Sequence, residues 1–298
     1  MQFCPSPGRG LRLPPLSRQL NVVPMGKDQE TLNIAVLGAG RMGQELMRAM
    51  ADNDELRLAA VWARKKSPAL QQRMAEFSGA AAGEIEISND LASVLDAADI
   101  AIDFSLPEAT HKVLDAVLAA AKPLVIGVSG LDRAAVDEIE VVARTIPILY
   151  DRNMSLGIAV LDSLVRQAVA SLGAGFEAEI HETHHKHKLD APSGTALKLG
   201  ASLAEARNQD FESVKRYEPA GLKRPLAPGE IGFEVSREGE VPGEHTVILY
   251  SESERLELKH AVSSRRVFAD GALRAAQWLS NRPPGLYAMR DLLFQADT

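Results

Sequence analysis

The chain has a single cysteine, Cys4, among 298 residues, so neither a disulfide framework nor a cysteine-ligated metal site is open to it. A reducing cytoplasm suits such a sequence. No run approaches the roughly 20 apolar residues needed to cross a bilayer, and no membrane association is expected. Positive charge is in deficit: 33 Lys and Arg stand against 40 Asp and Glu, a formal charge of -7. Neutralising a phosphate backbone needs the opposite surplus, so a general affinity for nucleic acid is not expected either. Internal repeats are missing, and so are low-complexity tracts beyond the first 30 residues.

What is present is the composition of a packed protein, 46% hydrophobic and 24% charged, with length enough for two modest domains. Residues 1–30 carry Pro5, Pro7, Pro14, Pro15 and Pro24 among Arg9, Arg12 and Arg18, without helical or strand periodicity. They read as a disordered leader, either transit-peptide-like or the product of a start placed upstream of Met25. From Leu32, short apolar runs (32–37, 56–62, 100–104, 124–128, 146–150) alternate with helical patterns such as 108–121 and 133–144. That alternation predicts an α/β fold with a doubly wound parallel sheet. After Asn153 the texture changes to a helix over 155–171, an alternating strand over 176–183, a polar loop and a helix from Thr195. Half-buried strands at 229–236, 244–251 and 254–260 then predict an antiparallel sheet in a smaller α+β domain, and 267–279 is helical again. The expected division is 31–154 with 265–298 as a dinucleotide-binding domain, and 155–264 as a substrate-binding and oligomerisation domain.

The first strand leads into Gly38-Ala39-Gly40-Arg41-Met42-Gly43 and then a helix. In such a motif Gly38 permits the tight turn, Gly40 lets backbone approach a diphosphate, and Gly43 allows close packing of helix on strand, with the anion at the helix N-terminus. A purely structural glycine turn is the alternative. At the end of the second strand, where a carboxylate would bind a ribose hydroxyl, the chain has Arg64-Lys65-Lys66 instead. Arg64 and its neighbours suit a 2'-phosphate, which favours NADPH and leaves NADH possible; a solvated basic turn is the other reading. The loops Gly127-Val128-Ser129 and Asp151-Arg152-Asn153-Met154 fall at strand C-terminal ends, where they either contact the cofactor or make ordinary turns.

The most distinctive stretch runs from His181 to Ala196. Four of the seven histidines and two lysines lie within 181–188, a density of proton donors that suits an anionic ligand. It leads through Pro192-Ser193-Gly194-Thr195 into a helix whose free N–H groups can hold a carboxylate. A solvated basic loop is the bland reading. A zinc site is disfavoured because neither a cysteine partner nor an H-E-x-x-H pattern accompanies the histidines, and no metal is expected.

The stretch resembles the signature of dihydrodipicolinate reductases, H-H-x-x-K-x-D-x-P-S-G-T-A, through His184, His185, Lys188, Asp190, Pro192, Ser193, Gly194, Thr195 and Ala196. Asp103-Phe104-Ser105, Gly243-Glu244-His245-Thr246 and Leu256-Glu257-Leu258-Lys259-His260 extend the similarity over residues 32 to about 280. The resemblance implies a Rossmann domain, a smaller mixed domain whose sheet builds a homotetramer, and NAD(P)H-dependent reduction of a cyclic dicarboxylate, dehydrated hydroxytetrahydrodipicolinate, on the route to diaminopimelate and lysine. It implies acid/base duty for His184, proton donation by Lys188, and substrate binding by His185, Gly194 and Thr195, to which Ser193 is added by its place at the helix N-terminus. It places 127–129 and 151–154 at the cofactor, beside residues 38–43 and Arg64 read above. Three departures stand out: the glycine loop is one residue shorter than usual, Val128-Ser129 replaces two threonines, and Asp151-Arg152 replaces small residues. Another two-domain dehydrogenase or a non-catalytic NADPH sensor are the rival readings. For the tetramer, the expectation is that the second sheet offers a free apolar face to a partner.

Overall fold

A computed structural model describes residues 31–51, 53–65, 67, 69, 87–217 and 225–293. The proline-rich leader and Lys66 lie outside the described residues. Seven strands form the first sheet: β1 (Leu32–Leu37), β2 (Leu56–Trp62), β3 (Ile87–Ser88), β4 (Ile100–Asp103), β5 (Leu124–Ile126), β6 (Pro147–Tyr150) and β12 (Gly285–Tyr287). Their order is β12-β6-β5-β4-β1-β2-β3, and every pairing is parallel. The strands are mostly apolar because both faces are covered. Along β1, Ile34 and Val36 join the core under α1 (Arg41–Met50) and α8 (Arg266–Leu279). Ala35 and Leu37 join the opposite core, under α2 (Leu91–Asp96), α3 (Thr110–Ala119) and α4 (Arg133–Val142). The strand's period of two thus divides one run between two layers.

Helix starts follow local chemistry. Asp90 caps α2 and Asp132 caps α4, each by accepting a backbone N–H of the first turn. Pro107 opens a short 3-10 turn at 107–109 that delays the α-helix to Thr110, two residues later than the apolar pattern suggested. The short β3, α2 and β12 escaped the sequence reading because none is long enough to develop a period.

The second sheet holds β7 (Glu177–His184), β8 (Lys215–Tyr217), β9 (Ile231–Arg237), β10 (Gly243–Tyr250) and β11 (Arg255–Val262), in the order β11-β10-β7-β9-β8. It is mixed, not antiparallel: β10 runs against β7 and β11, while β9 runs parallel to both β7 and β8. The cause is the connection. Helices α6 (Gly194–Ala206) and α7 (Phe211–Val214) intervene between β7 and β9, a crossover long enough to bring the chain back in the same direction. Ile158 and Val165 of α5 (Leu156–Leu172) and Leu199 and Leu203 of α6 cover the inner face at Ile180 and Val247.

The outer face of this sheet departs from the apolar surface expected. Alternation along β7 sets Glu177, Glu179 and His181 on that side. There His181 pairs with Glu179 at 2.9 Å, the Tyr250 hydroxyl donates to Glu179 at 3.2 Å, and Lys259 pairs with Glu244 at 2.6 Å. The open surface is charged.

Candidate active site

The glycine loop occupies the point where strand order reverses, between the C-terminal ends of β1 and β4. Gly38 has φ +104°, and a Cβ there would lie 2.7 Å from the Phe104 carbonyl oxygen. A Cβ on Gly43 would lie 2.0 Å from the Gly38 carbonyl oxygen, whereas one on Gly40 would meet nothing within 4 Å. Two glycines are therefore demanded by the protein's own packing, and the middle one borders open space. Helix α1 starts at Arg41 without a side-chain cap and without an acidic residue in its first turn. The first intrahelical bond is from Gln44 N–H to the Gly40 carbonyl at 3.0 Å, so the N–H groups of Arg41, Met42 and Gly43 have no partner within the helix. This end is built to meet an anion, and the glycines leave a diphosphate the room to reach it. Ala39 is half-buried between them, and Arg64 is exposed just beyond β2, whose Trp62 carbonyl receives the Gly38 N–H at 2.9 Å.

A cavity of about 650 Å³ extends from this loop to the second sheet. The first sheet's loops line it with Met42, Gly127, Ser129, Arg152, Asn153 and Met154. From the other side come His184, His185, Lys188, Ser193, Gly194 and Thr195. The structure thus gathers all six of the catalytic and substrate-binding candidates on one wall, facing six of the cofactor candidates. Gly38, Ala39, Gly40, Arg41, Gly43 and Arg64 are not on the cavity wall. Val128 is buried in the core beneath α4, and Asp151 is turned inward, 4% exposed.

His184 and Ser193 of this wall belong to a buried polar layer in which the sequence reading assigned no role to Glu182, Arg237 or His245. Glu182 and His184 alternate with Ile180 on the buried side of β7, and β10 sets His245 directly across from Glu182. The Glu182 carboxylate accepts the Ser193 N–H at 3.1 Å and faces Arg237 at 3.4 Å. Arg237 also donates to the carbonyls of Lys188 and Asp190, which straps down the loop between them. Ser193 caps α6 through the Ala196 N–H, and its hydroxyl lies 3.2 Å from His245 Nε2. Lys188 pairs with Asp190 at 2.8 Å. Among the described residues Glu182, His184 and His245 have ligand atoms within 4.8 Å of one another, close enough to share a cation. The Glu182 oxygens, however, are already engaged by Ser193 and Arg237, and this layer works as a hydrogen-bonded support.

Burial sets the charge states. It lowers the His184 pKa to about 4, with the cations Lys188 and Arg237 adding to the effect. It lowers His245 further, to about 3, with His184 assisting. Both rings are neutral at pH 7, and an unperturbed titration of His184 near 6.5 is not what this environment gives. Burial of Asp103, at the end of β4 beside the glycine loop, raises its pKa to about 6 against the hydrogen bonds from Ser105. Arg265 and His260 also line the cavity. Their signal in the sequence was the alternation of β11 and the start of α8, which tells an inward side but not what it faces.

Residues 32–154 match the family model described as dihydrodipicolinate reductase, N-terminus, and residues 157–293 match its C-terminus. A protein of Halorhodospira halophila named 4-hydroxy-tetrahydrodipicolinate reductase is 39% identical over 264 residues, covering 88% of this chain and 99% of its own. A protein of the same name from Pseudoalteromonas translucida is 41% identical over 261 residues, covering 87% and 97%. Among solved structures, dipicolinate-bound dihydrodipicolinate reductase from Paenisporosarcina sp. TG-14 has the same fold, with a TM-score of 0.69 at 23% identity over 87% of this chain and 97% of that one. With two matched halves and relatives near 40% identity along almost their whole length, the chain belongs to the dihydrodipicolinate reductase family.

Proposed function

We propose that this chain reduces the dehydrated form of 4-hydroxy-tetrahydrodipicolinate to tetrahydrodipicolinate with a nicotinamide cofactor, the activity for which its relatives are named, on the route to diaminopimelate and lysine. The observation that carries the reading is a cavity that runs from Met42, on the uncapped first turn of α1, to a wall with Lys188 and the N-terminus of α6. The first feature fits a dinucleotide diphosphate and the second a carboxylated ring. Residues 38–43 hold the diphosphate, Arg64 takes a ribose phosphate and so prefers NADPH over NADH, and 127–129 and 152–154 flank the nicotinamide.

When bound, the cofactor supplies the hydride. The chain's own residues hold the dicarboxylate and deliver the proton. Gly194 and Thr195 offer the first N–H groups of α6 to one carboxylate, with Ser193 capping the turn beside them, and His185 and Arg265 face the ring from the cavity wall. Lys188, a cation on the cavity wall paired with Asp190 at 2.8 Å, is the proton donor, and His184, whose pKa burial lowers to about 4, stands beside it as a neutral ring. His184 lies 3.8 Å from Glu182 through Nδ1 and shapes the wall beside Lys188. Positioned proton transfer of this kind is worth roughly 10² to 10⁴ in rate. The protein acts as a cytoplasmic homotetramer; the eight-residue edge strand β11, open along one side, is the support for assembly, since a long free edge invites pairing or cover. The function is tested by following NADPH absorbance while the cyclic substrate is generated in situ. Steady, substrate-dependent loss is expected, and its absence with a folded protein would overturn the assignment.

A further inference from the structure

Asp151 was read from the sequence as a cofactor contact, yet its carboxylate points away from the cavity. It is almost fully buried and takes four hydrogen bonds from three donors. Lys198 Nζ approaches both oxygens, at 2.7 and 2.6 Å, Asn153 N–H donates at 3.2 Å, and Met289 N–H at the start of α9 (Met289–Leu293) donates at 3.3 Å. Two residues on, the Asn153 side-chain amide donates to Thr195 Oγ at 3.0 Å. Thr195 and Lys198 are three apart on α6 and so share a face. The loop after β6 is therefore fastened to that face at two points. One is the bond to Thr195, in the turn that meets the substrate, and the other is an ion pair one turn further along.

We propose that Asp151 and Lys198 form a positioning pair that sets the distance between the nicotinamide side of the cavity and the substrate side. The inference rests on the functional reading given above. The loop carries Arg152, Asn153 and Met154 to the cavity wall, and α6 carries Gly194 and Thr195 to it. The pair joins these two walls from behind, without touching the cavity. A buried carboxylate holds its lysine in place, because removing that cation leaves the Asp151 charge without compensation. Reacting atoms must be brought to near contact, and a displacement of about 1 Å can cost 10² in rate. A tie placed here acts on that distance.

The test uses the full chain with Asp151→Asn, Lys198→Met, the double variant, and Lys198→Arg, which keeps the cation. Four readouts are taken: melting temperature, NADPH affinity, turnover with its isotope effect from deuterated NADPH, and amide exchange across 152–155 and the first turn of α6. Each single loss is expected to lower turnover by roughly ten- to a hundredfold, to raise the isotope effect, and to quicken exchange at both segments. NADPH affinity should hold. The double variant should be no worse than the poorer single one, because the two side chains act as a unit, and Lys198→Arg should keep most of the turnover. A fall in melting temperature with unchanged turnover and isotope effect would mean a merely structural tie and overturn the proposal. Unchanged exchange in both single variants would overturn it as well. If the unaltered chain fails to oxidise NADPH with the dicarboxylate, the functional reading falls, and the exchange result alone then decides whether the clamp exists.

Discussion

His245 offers a stability measurement whose size follows from its surroundings. The ring is 3% exposed, its Nε2 lies 3.2 Å from the Ser193 hydroxyl, and its pKa is lowered to about 3 from the ordinary 6.5. In the folded chain it stays neutral across the mildly acid range, whereas in the unfolded chain it takes up a proton near pH 6.5. Between those values the unfolded state binds one proton more, so stability falls as pH falls. From pH 7 to pH 5 the loss is about 2 kcal/mol, nearly the same for any folded pKa below about 4. His184, lowered to about 4, contributes in the same direction. Asp103, raised to about 6, binds a proton in the folded state over this range and offsets about 1 kcal/mol. His245→Gln removes one histidine term and leaves the others, so the two proteins are compared at both pH values. Urea unfolding, read by the fluorescence of Trp62 and Trp278 at one fixed protein concentration, gives the free energies. The native chain should lose about 2 kcal/mol more than the variant on acidification. Parallel losses in the two proteins would mean that His245 titrates normally in the fold, and the account of its burial would be wrong.

Five further outcomes are expected. Lys188→Ala should lower turnover by roughly 10² to 10⁴ while NADPH binding, read by fluorescence titration, stays intact; near-normal turnover would return the loop to a solvated turn. Arg64→Ala should weaken NADPH more than NADH, by about 1.5 to 3 kcal/mol for one charge-assisted bond, and equal weakening of both would refute the phosphate contact. Gly43→Ala, with its Cβ 2.0 Å from a backbone oxygen, should cost about 3 kcal/mol or more of stability. Gly40→Ala, facing open space, should keep the melting temperature and lose cofactor affinity, and the reverse pattern would undo the division of labour in the loop. Light scattering should report a tetramer at micromolar concentration, and a monomer would sink the assembly.

Much of this molecule is legible in one dimension because its signals are local. The run 32–37 followed by three glycines announces a strand, a turn and a helix, since the φ of Gly38 and the contact at Gly43 are consequences of a few neighbouring residues. The stretch from His184 to Ala196 is equally local, and its proton donors and helix start reach the cavity together as one segment. Strands such as 100–103 were visible because a covered parallel sheet favours apolar runs, here Ile100, Ala101 and Ile102. Other features depend on partners distant in the chain. That β9 runs parallel to β7 follows from how α6 and α7 return the chain, and no periodicity within β9 records it. Glu182 looked like one more polar residue of a charged segment until β10 brought His245 across from it and Arg237 closed over it. Asp151 sits two residues from a cavity-lining asparagine, and local reasoning assigned it to the same surface. Its direction was decided by Lys198, 47 residues away, because a carboxylate that stays ionised out of water needs a cation or N–H donors in place of its hydration.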